Sequence, residues 1–252
     1  MNTEKVKISI INYTNTLPFR WALSKSDVMQ KMELHQDIPS ICAQKLKFGQ
    51  VDIALVPVAL LAELKEFQLL TDFCIGANGK VDSVKLYSHV PLNEIKGITL
   101  DYQSKSSVTL TRILCKEWWK IRPSFQDALP GYEQNINGDN AAVVIGDRTF
   151  QLNGTFEYEY DLAEEWKNMT GLPFVFGAWV CTKPQSPEFI KEFNAVLKYG
   201  VDFCNAAIQE WADKLPLTTD KAKEYLLHRI DYRLDDRKRE AIDLFLKHIK
   251  AL

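Results

Sequence analysis

Short apolar blocks alternate along this chain with longer amphipathic blocks, and the two kinds of block predict different elements. Strand-like blocks, which are continuously apolar or alternate between apolar and polar residues, occupy residues 7–11, 51–56, 69–75, 81–87, 95–102 and 141–145. Helix-like blocks, which begin at cap or proline signals or carry apolar residues on one face, occupy residues 39–48, 58–65, 107–119 and 186–211, and two more begin at residues 219 and 235. Because strands and helices alternate, the sequence predicts the α/β class, with mixed, mostly parallel sheets flanked by helices.

Two polar segments that contain proline, residues 90–93 and 182–186, interrupt this pattern. If the chain crosses between two lobes at these segments, the first lobe is discontinuous and holds residues 1–90 and 183–252. Residues 91–182 then form an inserted second lobe, and a ligand cleft lies between the two. A single large domain is the alternative that the pattern leaves open.

The composition is that of an ordinary globular protein without a strong charge bias. Lys and Arg number 31 and Asp and Glu number 33, so the net charge is −2, which excludes a broad basic face for nucleic acid. No apolar run approaches the roughly 18 residues of a membrane span, and the first residues lack the features of a secretory signal. We therefore expect a cytoplasmic protein, a monomer or homodimer, with no nucleic-acid or membrane partner.

The cysteine, histidine and motif content argues against a metal or cofactor site. The five cysteines lie far apart without a CxxC pair, and the four histidines have no ligand spacing. The sequence contains no GxGxxG after a strand, no GxxxxGK[ST], no GxSxG and no HExxH. We expect buried, reduced thiols and a polar pocket for a small molecule that works without a cofactor.

The most informative loop joins a predicted strand to a predicted helix at residues 100–107. Backbone N–H groups at the start of a helix carry partial positive charge, and the hydroxyls of Ser104, Ser106 and Ser107 add further donors. Such a helix start is suited to a carboxylate or a phosphate. The alternative is that one of these serines only caps the helix.

Three other segments are candidates for the wall of a pocket. Asn15 and Thr16 follow the first strand, where ligands bind in open α/β sheets, although an Asx turn before a proline also explains them. Ser83 follows a glycine-containing turn, residues 76–79, which a plain hairpin also explains. The aromatic residues of segment 170–179 suit either an apolar pocket or the core.

In their order and spacing, several of these segments resemble the chorismate dehydratase family of menaquinone biosynthesis. The stretches that carry the resemblance span nearly the whole chain: Asn15-Thr16-Leu17-Pro18, residues 39–40, 46–58, 75–84 and 100–107, Val144-Ile145-Gly146-Asp147, and residues 161–166 and 170–176. With residues 39–40 and 46–58 grouped as one motif, and residues 161–166 and 170–176 as another, these are six motifs whose order is specific, although no single one is decisive. The chain departs from the usual family pattern at residues 12–14, where Ser-Tyr-Leu is usual, and at Lys105, where arginine is usual.

The resemblance implies a fold like that of type II periplasmic binding proteins, with two α/β lobes that close over a ligand. It implies a carbon–oxygen lyase that converts chorismate to 3-[(1-carboxyvinyl)oxy]benzoate, the first step of the futalosine route. Asn15 and Ser83 match family positions that line the substrate, and they are the expected catalytic residues. The expected substrate-binding residues are Thr16, Ser104, Ser106, Ser107, Gly146 and Asp147.

Two alternatives remain for the base of this reaction, and two for the function. Neither Asn15 nor Ser83 is a good base near pH 7, so the substrate's own enolpyruvyl carboxylate is our first candidate to take the proton from C3. Asp147, which follows Gly146 at a strand end, is the rival base. The alternative functions are a cytoplasmic protein that binds or senses a small carboxylate, and the sister enzyme that forms 1,4-dihydroxy-6-naphthoate.

Overall fold

The strands of this protein form two separate sheets in the computed structural model, which describes residues 5–252. The strands are β1 (Val6–Ile11), β2 (Met32–Asp37), β3 (Ile53–Pro57), β4 (Gln68–Ala77), β5 (Val84–Ser88), β6 (Gly97–Leu100), β7 (Ser124–Asp127), β8 (Asn140–Ile145), β9 (Tyr158–Asp161), β10 (Phe174–Cys181) and β11 (Asp231–Arg233). The first sheet has the order β11-β4-β10-β3-β1-β2, and the second has the order β7-β6-β8-β5-β9. Each sheet and the helices packed on it form what we call a lobe.

Helices cover the sheets and connect their strands. They are α1 (Leu17–Ser24), α2 (Pro39–Lys47), α3 (Lys105–Ile113), α4 (Thr149–Leu152), α5 (Leu162–Thr170), α6 (Pro187–Asp202), α7 (Cys204–Glu210), α8 (Thr219–Lys223) and α9 (Asp236–Lys250). Wider π-helical turns follow α3 at Leu114–Trp118 and α8 at Glu224–Arg229. Side-chain oxygens of Ser104, Asp161, Ser186 and Asp235 accept backbone N–H groups at the starts of α3, α5, α6 and α9, which explains where these helices begin.

The α/β class is confirmed, but the strand pairing is mixed rather than mostly parallel. Among the described strands, four pairings are parallel and five are antiparallel. The antiparallel pairings centre on β5 and β10, which enter the two sheets as the chain passes from one lobe to the other. A strand that returns through a crossing runs against its neighbours, and a hydrophobic pattern does not reveal its direction.

The structure corrects the expected lobe boundaries at residues 90/91 and 182/183. Strand β5 belongs to the second sheet and β10 to the first, so the chain crosses at residues 78–83 and again between α5 and β10. Both strands are almost entirely buried, and an apolar strand carries no sign of which sheet receives it. The proline-bearing segments taken as crossings are a turn after β5 and the approach to α6.

Several elements differ from their predictions in type or extent. The predicted helix at 58–65 is a 3-10 turn at Val58–Glu63, and the predicted helix at 107–119 starts at Lys105 and ends in a π-helical turn. Strand β2 was not predicted, because it is a mostly polar edge strand in which only Met32 is fully buried.

The cysteine prediction is confirmed, since all five thiols lie in the described region, are buried and form no disulfide. Burial raises the pKa of Cys42 to about 12, so this thiol stays protonated. No helix among residues 5–252 combines the length and the apolar character that a bilayer crossing requires.

Candidate active site

A small cavity lies between the two sheets, at the end where strands β1, β3, β6 and β8 terminate. Its volume is about 40 Å³. It is lined from both lobes by Ile11, Tyr13, Asn15, Pro39, Pro57, Ile75, Val81, Ser83, Val84, Ser104, Ser107, Ile145, Gly146, Phe176 and Gly177. Ligands of open α/β sheets bind beyond the carboxyl ends of strands, so this is the expected place for a site.

Larger grooves exist on the surface, up to about 610 Å³, but they do not contain the predicted site residues. Within the described part of the chain, none of the eight candidates lines any of these grooves. Five of the eight line the small cavity between the sheets. We therefore treat the small cavity as the candidate site.

The lining of this cavity is polar at a few points and carries no charged side chain among the described residues. Its polar side chains belong to Tyr13, Asn15, Ser83, Ser104 and Ser107. Burial, and then the nearby Asp101 carboxylate, raise the pKa of Tyr13 far above its usual value, so this phenol is neutral at pH 7. The cavity therefore offers hydrogen-bond donors and acceptors, but no carboxylate, imidazole or amine.

Ser83 stands at the end of the first crossing, directly before β5. The backbone N–H groups of Val81 and Asp82 donate to the Asp161 carboxylate at 2.9 and 2.7 Å, which fixes the crossing against the second lobe. Ser83 is 1% exposed, and its Oγ accepts a hydrogen bond from Tyr225 Oη at 2.7 Å. The preceding Asp82 has a φ of 63°, a left-handed conformation that aspartate tolerates better than most residues.

Asn15 lies on the 3-10 turn Thr14–Thr16 that follows β1. Its backbone carbonyl accepts a hydrogen bond from Tyr232 Oη at 3.0 Å, which anchors the turn. Its side-chain Oδ1 is buried without a hydrogen-bond partner. A buried amide oxygen without a partner is costly, and its position in the cavity lining makes it an acceptor available to a ligand.

The serine-rich start of α3 serves both as a cap and as part of the cavity wall. Ser104 accepts the Ser107 N–H at 3.4 Å and the Ser107 hydroxyl at 3.2 Å, so Ser104 caps the helix. Both residues also line the cavity. Ser106 does not, because its hydroxyl accepts the Ala59 N–H at 3.1 Å from the other lobe.

The remaining three predicted residues have different surroundings. Thr16 is fully buried outside the cavity lining, and its hydroxyl donates to the Ile11 carbonyl at 2.6 Å. Gly146 lines the cavity with a φ of 67°, and a Cβ there would lie 2.7 Å from the Tyr13 ring, so only glycine fits. Asp147 lies outside the lining and accepts the Thr14 N–H at 3.0 Å.

Contacts across the cleft hold the lobes together around the cavity. Asp147 and Thr14 form one of them, the Tyr13 hydroxyl donates to Gln103 Oε1, and the Ser106 contact to Ala59 forms another. Pockets for organic ligands usually measure at least about 300 Å³, much more than the cavity volume of about 40 Å³. In this conformation the cavity is therefore too small for a ligand with a six-membered ring, which enters only if the walls of the cavity move apart.

The sequence pattern did not predict Tyr13, Tyr225 or Tyr232 as residues that line or contact the site. A tyrosine on an amphipathic helix or beside a strand is as common in the core as in a site, so no pattern marked them. Only the fold brings the two C-terminal tyrosines to Asn15 and Ser83. In the described residues, no group of three or more His, Cys, Asp and Glu side chains is placed to hold a metal ion.

Solved structures show the fold of this chain. A protein from Archaeoglobus fulgidus has a TM-score of 0.78 at 12% identity, covering 100% of this chain and 98% of that one. A Candida albicans protein described as having the generic periplasmic binding protein fold has a TM-score of 0.67 at 13% identity, covering 99% of this chain and 91% of that one. The expected periplasmic-binding-protein-like fold is thereby confirmed.

Sequence comparisons show the family. Two relatives are named chorismate dehydratase: that of Campylobacter jejuni is 24% identical over 249 residues, 96% of each chain, and that of Thermus thermophilus is 24% identical over 204 residues, 71% of each chain. A family model described as menaquinone biosynthesis matches residues 6–251. Since this match runs from the first strand to the last helix, the chain belongs to the menaquinone biosynthesis family.

Proposed function

We propose that this protein is a chorismate dehydratase, which eliminates water from chorismate to give 3-[(1-carboxyvinyl)oxy]benzoate in the futalosine route to menaquinone. The names of its relatives and its family support the proposal. One structural observation carries it further: Asn15 and Ser83 line one buried cavity whose described lining has no carboxylate, imidazole or amine.

The proposed reaction needs little from the protein beyond positioning and charge stabilisation. The ring loses the proton on C3, and the electrons of that C–H bond form a ring double bond while the C4–O bond breaks. The base passes this proton to the C4 hydroxyl, which leaves as water, and the ring becomes aromatic. Because aromatisation supplies much of the driving force, neutral hydrogen-bonding groups are sufficient for this chemistry.

In this proposal the base is the enolpyruvyl carboxylate of the substrate. The cavity lining favours this choice, because the neutral groups of Asn15, Ser83 and Tyr13 are poor bases near pH 7. Asp147 is the weaker candidate, since its carboxylate already accepts the Thr14 N–H and lies outside the lining.

The predicted site residues take three kinds of role in the proposal. Asn15 and Ser83 make the closest polar contacts to the ring and hold its geometry. The start of α3, with Ser104 and Ser107, binds one of the two substrate carboxylates. The rest support the site indirectly: Thr16 and Ser106 through backbone contacts, Gly146 by close packing and Asp147 by closing the cleft.

The purified protein incubated with chorismate, without added metal or nucleotide, tests the proposal. Products are followed by chromatography with mass detection, and the expected product is aromatic and lighter than chorismate by one water. Chorismate that stays intact but raises the melting temperature of the protein would show that the protein binds chorismate without dehydrating it. If chorismate gives no turnover and no thermal shift, chorismate is not the ligand.

A further inference from the structure

One stretch of the first lobe, residues 225–232, contacts the candidate site. It contacts both proposed catalytic residues and the residue before Ser83: Tyr225 Oη with Ser83 Oγ at 2.7 Å, Arg229 Nε with Asp82 Oδ2 at 2.7 Å, and Tyr232 Oη with the Asn15 carbonyl at 3.0 Å. Tyr225 and Arg229 lie on the π-helical turn Glu224–Arg229. Such turns are rare and are often found at functional sites.

Tyr225 is buried and packs against a second aromatic ring. Its side chain is 4% exposed, and the Phe150 ring packs edge-on against it with the ring centroids 5.0 Å apart. Burial raises the pKa of Tyr225 well above its ordinary value, so the phenol beside Ser83 and Asn15 keeps its proton at pH 7. It is therefore a permanent donor at the junction of the two proposed catalytic side chains.

A serine hydroxyl has one proton to donate, and its oxygen accepts other donors. Ser83 Oγ accepts a hydrogen bond from Tyr225, so the Ser83 hydroxyl is free to donate its own hydrogen bond in another direction. Ser83 also lines the cavity. We infer that Tyr225 is a positioning residue that holds Ser83 so that the Ser83 hydroxyl donates into the cavity, to the C4 oxygen that leaves. This role rests on the proposed dehydration.

The substitution Tyr225→Phe tests the role, because it removes the phenol oxygen and keeps the ring. We expect kcat for chorismate dehydration to fall about tenfold or more, with KM changed less than about twofold, since a group that only orients Ser83 acts mainly in the transition state. The matched control is Tyr87→Phe, which removes a buried hydroxyl that donates to Asn153 in the second lobe. The control should lose comparable thermal stability and keep its kcat.

A double-mutant cycle separates positioning through Ser83 from a structural effect. In a Ser83→Ala background, Tyr225→Phe should cause no further loss, because the group through which it acts is gone. Losses that multiply in the double variant would overturn the inference, as would an unchanged kcat in Tyr225→Phe. Absence of turnover by the wild type would instead overturn the proposed function, and this role of Tyr225 with it.

Discussion

Among the single residues of the site, Asp147 contacts the other lobe: its carboxylate accepts a hydrogen bond from the backbone there. Both of its oxygens lie near the Thr14 N–H, at 3.0 and 3.2 Å. Burial raises the pKa of Asp147, and the contacts with Thr14 lower it by less. A carboxylate that fastens two loops in this way is poorly placed to remove a proton from a ligand in the cavity.

The substitution Asp147→Asn distinguishes a fastening group from a base. An asparagine oxygen still accepts the Thr14 N–H, so we expect kcat/KM for chorismate dehydration to stay within about tenfold of the wild type. Steady-state kinetics with an exposed control, Asp127→Asn, check this. A loss greater than about 10³-fold confined to the Asp147 variant would make Asp147 the base.

Some residues of the candidate site could be predicted from the sequence, and others could not. Asn15 and Ser83 were predicted from the family pattern, and both line the cavity. Thr16 and Ser106 were predicted with them but use their hydroxyls on the backbone, which depends on side-chain direction and not on residue type. Tyr225 was missed because its partner, Ser83, is far away in the sequence.

Among the elements, α3 begins at a serine, Ser104, that has two roles. It caps the helix by accepting the Ser107 N–H, and it lines the cavity. Ser186 caps α6 in the same way, by accepting the Phe189 N–H at 3.2 Å, but it lies on an exposed surface. The two serines therefore form a matched pair for separating capping from ligand binding.

We expect Ser104→Ala and Ser186→Ala to lower the free energy of unfolding by similar amounts, about 1 kcal/mol each, because each loses a cap. Only Ser104→Ala should also raise KM for chorismate, by about tenfold, because it removes a donor to a carboxylate. Thermal unfolding and steady-state kinetics measure the two effects. An unchanged KM in Ser104→Ala would show that this serine is only a cap.

The start of α5 and the first crossing share one carboxylate, that of Asp161. Its oxygens accept the N–H groups of Val81 and Asp82 in the crossing, and of Ala163 and Glu164 in the helix. Burial nevertheless raises the pKa of Asp161 to about 6. The folded protein thus binds this proton more tightly than the unfolded chain, where the pKa of an aspartate is about 3.9.

It follows that the contribution of Asp161 to the free energy of unfolding is greatest below about pH 4 and is lost as the pH rises through about 6. The variant Asp161→Asn, which does not titrate, should lack this component, while the exposed control Asp213→Asn should keep it. Urea unfolding between pH 4 and pH 7 measures the difference. The same pH dependence in the wild type and in Asp161→Asn would contradict the account.

The elements that the sequence predicted best are those with continuous apolar runs, such as β3 and β8. An apolar run of this length is buried in almost any α/β fold, so the local sequence is enough to predict a strand there. The sheet to which β5 or β10 belongs depends on packing between distant segments, so the sequence pattern does not predict it. Polar edge strands such as β2 have too few buried side chains to give a pattern.

At the scale of the whole molecule, closure of the two lobes determines what the cavity can do. The lobes meet through Asp147 and Thr14, through Ser106 and Ala59, and through the ion pair of Lys105 with Glu63. With these contacts formed, the cavity between the sheets measures about 40 Å³. A ligand that enters an opened cleft and is then enclosed loses its water shell, which strengthens every hydrogen bond that the neutral lining makes.

The proposed function requires that chorismate is dehydrated in this neutral cavity, with Ser83 in contact with the reacting ring. The most direct test is the rate of water loss from chorismate by the wild type, by Ser83→Ala, and by Ser88→Ala, which removes another buried serine hydroxyl outside the cavity. We predict turnover by the wild type and by Ser88→Ala, and a loss of about 100-fold or more in Ser83→Ala. A Ser83→Ala variant as fast as the wild type would contradict the claim.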